Sequence, residues 1–423
     1  MSQMTIAALI LVATFVCFFI PKIPNIAVAI AAGLAFGMSG ILDLSAVFNS
    51  YTSSTCILMI GMMTVGGAMF QTGLAGWIGN QIIKITGTTT GKVQMSILLI
   101  TALFAPILTG TATLMILYPL MCSIAISSKV SMSYIVPCNQ IGNGLGDFLT
   151  VTGTAGIAAS ASILESSGFK MWGYFEVAWF GIPRAILTCV LAFFFLNRFI
   201  VPKDKFVRPD AELFKSDAKI PEKMDLKMTI VLVDLLIALV LFVLEVPGLP
   251  IHVVATLAAL GVLFTGCITP KQMYKAVSWD VIILIGGMSA FAKGMQASGF
   301  GELIAKSILN IVGNNANPIL MIFVIMVTTG LIKQFMSDTA TCVLMTPIAI
   351  SIAVMQGVEP YAYAMAALVG STLAHLTVMS SPSIAFFLQL GGLPNNYLLK
   401  YGSMIELPAN LIAGMIMIPL IWL

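Results

Sequence analysis

The sequence predicts an all-α polytopic membrane protein made of two inverted repeats, each with five spans and one re-entrant helical hairpin. Three observations predict it. First, 59% of the 423 residues are hydrophobic and only 9% are charged, against about 25% charged in a soluble domain. So few charges cannot coat a water-facing surface for a chain this long, which excludes a soluble globular enzyme and a disordered or fibrous chain. Second, mean hydropathy is +1.03. A membrane helix takes roughly 20 apolar residues, so there is room for ten or more. Third, the second half of the chain repeats the first.

The first apolar run covers residues 4–20. No basic stretch precedes it and no small-residue cleavage site follows, so it reads as a first span and not a removed signal peptide. The chain then turns at Pro21-Lys22-Ile23-Pro24. Nine further spans centre near Ala31, Met62, Leu149, Val190, Ile237, Leu260, Leu284, Leu373 and Ile412. Two more apolar segments are broken in the middle, at Thr109-Gly110-Thr111 and at Ser337-Asp338-Thr339, and read as hairpins. Residues 198–227 hold eight basic and six acidic residues and form a linker. It divides the chain into repeats 1–197 and 228–423.

The repeat is visible residue by residue. Residues 109–125 read TGTATLMILYPLMCSIA and 337–353 read SDTATCVLMTPIAISIA; seven of 17 positions are identical at an offset of 228, including Pro119 with Pro347. Residues 149–158 (LTVTGTAGIA) match 376–385 (LTVMSSPSIA) at five of ten positions, offset 227. Pro21 and Pro24 match Pro247 and Pro250 at 226, and Gln71 matches Gln296 at 225. The order is kept and the offset hardly drifts.

Charge sets the orientation. Five spans and one hairpin per repeat put both termini on one side and the linker on the other. With the linker in the cytoplasm, 15 of the 20 basic residues become cytoplasmic, as the positive-inside rule requires. The expected location is the cell membrane, multi-pass, with both termini outside. An odd number of spans inverts one repeat relative to the other, a pattern of many secondary transporters.

Metal and redox chemistry find no support. The seven cysteines lie at least 16 residues apart in apolar stretches, and there are two histidines. No ligand spacing exists among them, and Cys in such surroundings is a small hydrophobe. The net charge of +3 comes without a basic block interleaved with aromatics, so nucleic acid is not expected as a partner.

The chemistry concentrates where the helices break. Freed backbone groups inside a membrane survive only when buried in protein or facing a wet cavity. Four breaks stand at repeat-equivalent places: the two hairpin tips, and Thr152-Gly153-Thr154 and Ser380-Ser381-Pro382-Ser383 inside two spans. Hydroxyls and small residues dominate all four. Half-helix N-termini with Ser and Thr hydroxyls suit an anion, and carbonyls at half-helix C-termini suit a hard cation such as sodium. A plain kink with back-bonded hydroxyls is the structural alternative at any one of them. The candidate substrate contacts are Thr109, Gly110, Thr111, Thr154, Ser337, Asp338, Thr339, Ser381, Pro382 and Ser383. The candidate coupling-ion or charge-compensating residues are Thr109, Gly110, Thr152, Gly153, Lys333, Asp338 and Ser380.

The pattern S-x-T-A-T-x-x-x-x-x-P around the tips, the later Leu-Thr-Val and Ser-Ser-Pro-Ser stretches and residues 62–76 (MMTVGGAMFQTGLAG) resemble the divalent anion/sodium symporter family of the ion-transporter superfamily. The resemblance covers essentially the whole chain, and arsenite and sodium/proton carriers of the superfamily share much of it. It implies a homodimer with a scaffold domain and a transport domain that moves by an elevator mechanism. It implies small di- or tricarboxylates such as succinate, malate or citrate as substrates, and sodium or protons as coupling ion, with no organic cofactor. The family's tips read Ser-Asn-Thr and contact substrate carboxylates, a role the resemblance gives to Thr109, Thr111, Ser337 and Thr339. Here Gly110 and Asp338 stand at the Asn positions. Gly110 lacks the amide, and Asp338 brings a negative charge to an anion site.

Lys333 is the expected neutraliser, five residues before Asp338. Intramembrane charges are costly and point to function. In the family this position borders a cation site, so the ammonium stands in for a sodium ion, giving symport with fewer sodium ions, proton coupling or anion exchange. A static structural pair or a snorkelling Lys333 is the alternative. Asp147 and His375, on adjacent repeat-equivalent positions, are proton-relay or structural residues. Arg184, Asp234 and Glu406 read as helix-end or interface residues.

Other classes fit less well. Gly144-Leu145-Gly146-Asp147 matches the G-x-G-D of intramembrane aspartyl proteases, but that chemistry needs a second aspartate, and no Tyr-Asp dipeptide exists to supply it. A channel, a sulfate carrier and a carrier fed by a soluble binding protein complete the alternatives. The expected function is secondary transport, not enzymatic.

Overall fold

The computed structural model describes residues 2–18, 20, 22–78, 81, 89–107, 110–201, 224–244, 246–313, 316–377, 382–394 and 396–423, without the side chains of 110–112, 115, 116, 119, 123, 126, 127, 382, 383, 385 and 386. Among these residues every regular element is a helix. Most of the 198–227 linker lies outside the described residues.

The first half holds α1 (Gln3–Phe18), α2 (Asn25–Met38), the short α3 (Leu44–Asn49), α4 (Ser54–Gln71), α5 (Thr90–Phe104), α6 (Gly110–Ser128), α7 (Met132–Asp147), α8 (Ala155–Ser166) and α9 (Ala178–Phe195). The second holds α10 (Leu226–Leu244), α11 (Ile251–Phe264), the short α12 (Pro270–Ala276), α13 (Trp279–Ala297), α14 (Phe300–Val312), α15 (Pro318–Lys333), α16 (Asp338–Gln356), α17 (Pro360–Ser371), α18 (Pro382–Gly391), α19 (Asn396–Tyr401) and α20 (Leu407–Trp422).

Matching residues make matching helices. Pro24 and Pro250 precede α2 and α11, each 14 residues long. Gly40 (φ 73°) and Gly266 (φ 66°) follow them, supplying the left-handed turn that glycine adopts without a Cβ penalty. At 1.5 Å per residue each helix is about 21 Å long, short of a ~30 Å hydrocarbon core. They are sheltered by exchange: α2 packs on α13, and α11 on α4. A Cβ at Gly33 would come 3.0 Å from the Gly287 carbonyl oxygen, and one at Gly61 would come 2.6 Å from that of Ala255. Small residues at these crossings let the backbones meet, as membrane helices require.

Among the described residues, five helical stretches are long and apolar enough to cross a membrane, by length and composition alone: Leu44–Gln71, Ala178–Ile200, Leu226–Leu244, Asp338–Gln356 and Asn396–Trp422. The bent pair Pro270–Ala276 and Trp279–Ala297 makes a sixth, and α1, α2, α5, α11 and α15 are apolar but shorter. Leu226–Leu244 is only 28% buried, while Asp338–Gln356 is 72% buried. So α10 belongs to the apolar rim and α16 to the interior. Phe193 of α9 and Leu420 of α20 are likewise exposed.

Backbone direction reveals the hairpins. A Cβ at Gly142 of α7 would meet the Leu98 carbonyl oxygen at 2.7 Å, and one at Gly146 that of Ala102 at 2.8 Å. Both sequences rise together, so α5 and α7 run parallel and α6 returns between them. Gly370 against Met326, and Leu373 against Gly330, give α15 and α17 the same relation around α16. By contrast, α9 and α20 run antiparallel. Arg184 bonds Asn410, and Glu176, just before α9, accepts from Trp422 Nε1.

Candidate functional site

Two helix breaks and one hairpin corner face each other. The first break follows α7. Its Thr150 and Thr152 hydroxyls donate to the Pro106 carbonyl at 2.7 and 3.0 Å, and the Thr152 hydroxyl also meets Tyr174 OH at 2.9 Å. The break is thereby tied to the end of the α5 arm. A Cβ at Gly153 would collide with the Asp147 carbonyl, so glycine permits the fold-back. Thr154 restarts the chain as the cap of α8, accepting from Ile157 N–H at 3.1 Å, which satisfies one orphan donor of the new helix.

The second break follows α17 and is held by Gln334, just past α15. Gln334 Nε2 donates to the carbonyls of Gly330 (3.0 Å) and Ala374 (2.9 Å), and its Oε1 accepts from Leu376 N–H at 3.2 Å. The Thr377 hydroxyl donates to the Gln334 carbonyl at 2.7 Å. One amide thus supplies partners for unpaired backbone, as a buried break demands. Ser337 caps α16, accepting from Ala340 N–H at 3.3 Å, and its hydroxyl also accepts from Asn25 Nδ2 at 3.2 Å.

Between these elements lies a cavity of about 590 Å³. Thr154 lines it at the start of α8. Ser337, Asp338 and Thr339 line it at the start of α16. Asp147 at the end of α7, Arg184 of α9, His375 of the second break and Glu406 just before α20 complete its charged wall, with Asp280 at an exposed edge. Thr152 and Gly153 stand behind the wall, in the contacts given above. Gly110 begins α6 and Pro382 begins α18. The side chains of Thr111, Pro382 and Ser383 lie outside the described residues, as do Thr109, Ser380 and Ser381 altogether.

The charges form a chain. Lys333 Nζ, fully buried, sits 3.3 Å from Asp338 Oδ1. Asp338 Oδ2 sits 3.2 Å from His375 Nε2. His375 Nδ1 meets both Glu406 oxygens at 3.0 Å, and the His375 backbone N–H donates to Glu406 Oε2 at 2.7 Å. Four ionisable side chains from three helix ends and one break therefore form one relay, buried at Lys333 and partly exposed at Asp338, His375 and Glu406, whose middle faces the cavity.

Arg184 stands apart from that relay. It bonds the Asn410 side chain and the Gly144 carbonyl, and its guanidinium lies 4.7 Å from the Phe148 ring centre. Among the described residues no carboxylate comes within ion-pair distance of it. Arg184 and Glu406 read from the sequence as helix-end or interface residues, yet both are cavity-wall residues. Only the fold shows this, because Glu406 is 31 residues from His375 and Arg184 is 226 from Asn410. Asp234 keeps to an interface, with Oδ1 packed over Gly261. Asn25 and Gln334 gave no sequence signal beyond their polarity in an apolar chain. Chemically, the site offers helix N-termini and a guanidinium to an anion, and carboxylates to a cation or proton.

Comparison with known proteins finds transporters. A family model described as citrate transporter matches residues 10–422. The chain is 40% identical over 116 residues to the uncharacterized transporter YfbS of Escherichia coli, which is 27% of this chain and 19% of that protein. It is 31% identical over 121 residues to the Na(+)/dicarboxylate cotransporter 3 of Homo sapiens, covering 28% of this chain and 20% of that protein. These matches thus span about a fifth of the relatives' length. A longer match, 21% identical over 401 residues, joins 87% of this chain to 77% of the sodium-dependent dicarboxylate transporter SdcS of Staphylococcus saprophyticus. Among solved structures, MtrF of Neisseria gonorrhoeae superposes with a TM-score of 0.62 at 13% identity, over 90% of this chain and 84% of that one. The YdaH transporter of Alcanivorax borkumensis gives 0.52 at 14% identity, over 89% and 85%. At such identities the likeness is one of fold.

Proposed function

The chain belongs to the citrate transporter family, and from that premise we propose that it is a secondary active transporter of small di- or tricarboxylate anions. One observation carries the reading. The N-termini of α8 and α16, capped by Thr154 and Ser337, open onto one cavity that also holds Arg184. N–H groups at helix starts and a guanidinium are the donors that carboxylates seek, and 590 Å³ suits a small organic anion. Thr109, Gly110, Thr111, Ser381, Pro382 and Ser383 complete the proposed contact set, with Thr152, Gly153 and Ser380 on the coupling-ion side.

The carrier works in the membrane as a homodimer, by an elevator movement of the hairpins and broken helices against the rest. The linker is cytoplasmic and both termini are outside. The parallel α5–α7 and α15–α17 pairs and the antiparallel α9–α20 pair support two inverted halves, 1–197 and 228–423. The sodium-dependent names of SdcS and the human cotransporter support sodium as a coupling ion. Lys333 stands in for one such ion, so the transporter needs fewer sodium ions, or uses protons or anion exchange.

The test is reconstitution in liposomes, measuring labelled succinate uptake with and without a sodium gradient, a pH gradient and internal succinate. Uptake that needs internal substrate but no sodium is the exchange outcome. Sodium-driven uptake into empty liposomes would return Lys333 to a structural role. Silence with succinate, citrate and malate under all conditions would overturn the carboxylate reading.

A further inference from the structure

We propose that His375 is a proton-binding site of the carrier, and that its bound proton is a condition for anion binding in the cavity. The inference rests on the carboxylate-transporter reading for its second half only.

The geometry counts the protons. A neutral imidazole has one N–H and one lone pair, and an ionised carboxylate only accepts. Here both ring nitrogens face carboxylate oxygens: Nδ1 meets Glu406 at 3.0 Å and Nε2 meets Asp338 at 3.2 Å. Whichever tautomer a neutral ring took, one nitrogen lone pair would point at a carboxylate lone pair. Neither carboxylate is free to turn away. Asp338 Oδ1 is held by Lys333 at 3.3 Å, and Glu406 Oε2 accepts the His375 backbone N–H at 2.7 Å. The arrangement is satisfied when both nitrogens carry a proton.

That proton also decides the charge of the wall. With it, Lys333 and His375 balance Asp338 and Glu406, and the relay is neutral. Without it the relay carries one net negative charge beside the cavity where an anion must sit. Like charges in a partly desolvated site repel strongly. The other titratable groups that interact with the relay are Asp147 from the end of α7, Arg184 from α9, Cys342 from α16, and Tyr397 and Tyr401 from α19. Asp147 adds no positive charge, and Arg184 carries the same charge whether or not His375 is protonated, so neither replaces the lost proton. The sign follows: a ligand that binds only the protonated form loses affinity as pH rises, by up to about tenfold per pH unit for one linked proton.

The sequence makes a direct readout available, because the chain has two histidines, His252 and His375. The protein in lipid nanodiscs, carrying ¹⁵N-labelled imidazole, is followed by NMR without ligand, with His252→Gln to assign the signals. His375 should show two protonated nitrogens at neutral pH and lose one proton on raising pH. A neutral tautomer at pH 7, or a ring whose signal never moves to pH 10, would overturn the proposal whatever the substrate.

Succinate affinity is then measured by calorimetry from about pH 7 upward, where ordinary carboxyls are fully ionised. The dissociation constant should rise as the His375 signal titrates. A flat affinity across that titration would overturn the linkage. Absence of succinate binding at every pH, with the NMR signature present, would instead count against the carboxylate reading and leave the proton site standing. Two variants close the loop. His375→Gln should bind at least tenfold more weakly at pH 7 and show no pH slope. Asp338→Asn removes one carboxylate, so a neutral ring suffices: whatever its affinity at pH 7, its dissociation constant should not rise as the pH is raised. Loss at high pH in Asp338→Asn as steep as in the parent would sink the charge count.

Discussion

The two hairpins have the same arrangement of arms and different chemistry where the arms end. In the first half, the residue 228 positions before Lys333 is Ala105, and the one before Asp338 is Gly110. That corner is closed by small side chains: Ala105 is fully buried, and a Cβ on Gly146 would strike it at 2.5 Å. In the second half the same place holds a fully buried ammonium on a carboxylate. The pair at Asp147 and His375 also differs, one acidic and one basic. The halves share what builds hairpins and differ in what carries charge, so the charged residues of the proposed site concentrate where the repeat is broken.

The sharpest way to break the comparison is to give the second corner the residue of the first. Lys333→Ala leaves Asp338, partly exposed, with His375 as its remaining partner, so the cost stays below the roughly 3–5 kcal/mol of a fully buried pair. A fall in melting temperature and more than a tenfold loss of uptake are expected. Uptake and ion dependence equal to the parent would mean that the two corners do the same work.

Overpacking should treat the halves alike. Gly146→Leu and Gly370→Leu both push a side chain into a carbonyl of the neighbouring arm, Ala102 or Met326. Each should cost about 1–3 kcal/mol or more, read as matched shifts in thermal unfolding. A large shift in one half alone would show that only that half needs its parallel arms in contact.

Arg184 and Asn410 join the halves at an offset of 226. Arg184→Lys cannot keep both the Asn410 and the Gly144 bonds, and about 1.5–3 kcal/mol is at stake for a charged donor. A double-mutant cycle with Asn410→Ala should return a coupling above about 0.5 kcal/mol. Additive effects would deny the contact.

The smallest effects belong to the caps. Thr154→Ala and Ser337→Ala should each cost about 1 kcal/mol of stability. Both should also weaken succinate binding, since each hydroxyl sits at the cavity. Equal stability losses with affinity changed in only one would assign the anion to that half.

Much of this was legible in the chain. Pro24 with Pro250, the T-A-T tips and the two hydroxyl-rich breaks announced a repeat and where its helices stop, because prolines and broken apolar runs act locally. The Lys333–Asp338 partnership was legible too, since five residues separate them. Glu406 and Arg184 were not. Each lies in or beside a helix of mostly apolar residues, and nothing nearby in sequence distinguishes a cavity-wall charge from one at a helix end. Gln334 was equally silent, although it holds the second break together.

The amino-acid sequence by itself determined the membrane class, the long apolar helices, the break at Thr152-Gly153-Thr154 and the unusual charges at the second tip. Those follow from burial free energy and backbone satisfaction, which act within a helix or one turn beyond it. Only the tertiary structure decided that Glu406 reaches the His375 ring, that both ring nitrogens meet carboxylates and that Arg184 shares their cavity. Charge interactions depend on distance through space, and the packing of parallel arms around glycines sets those distances.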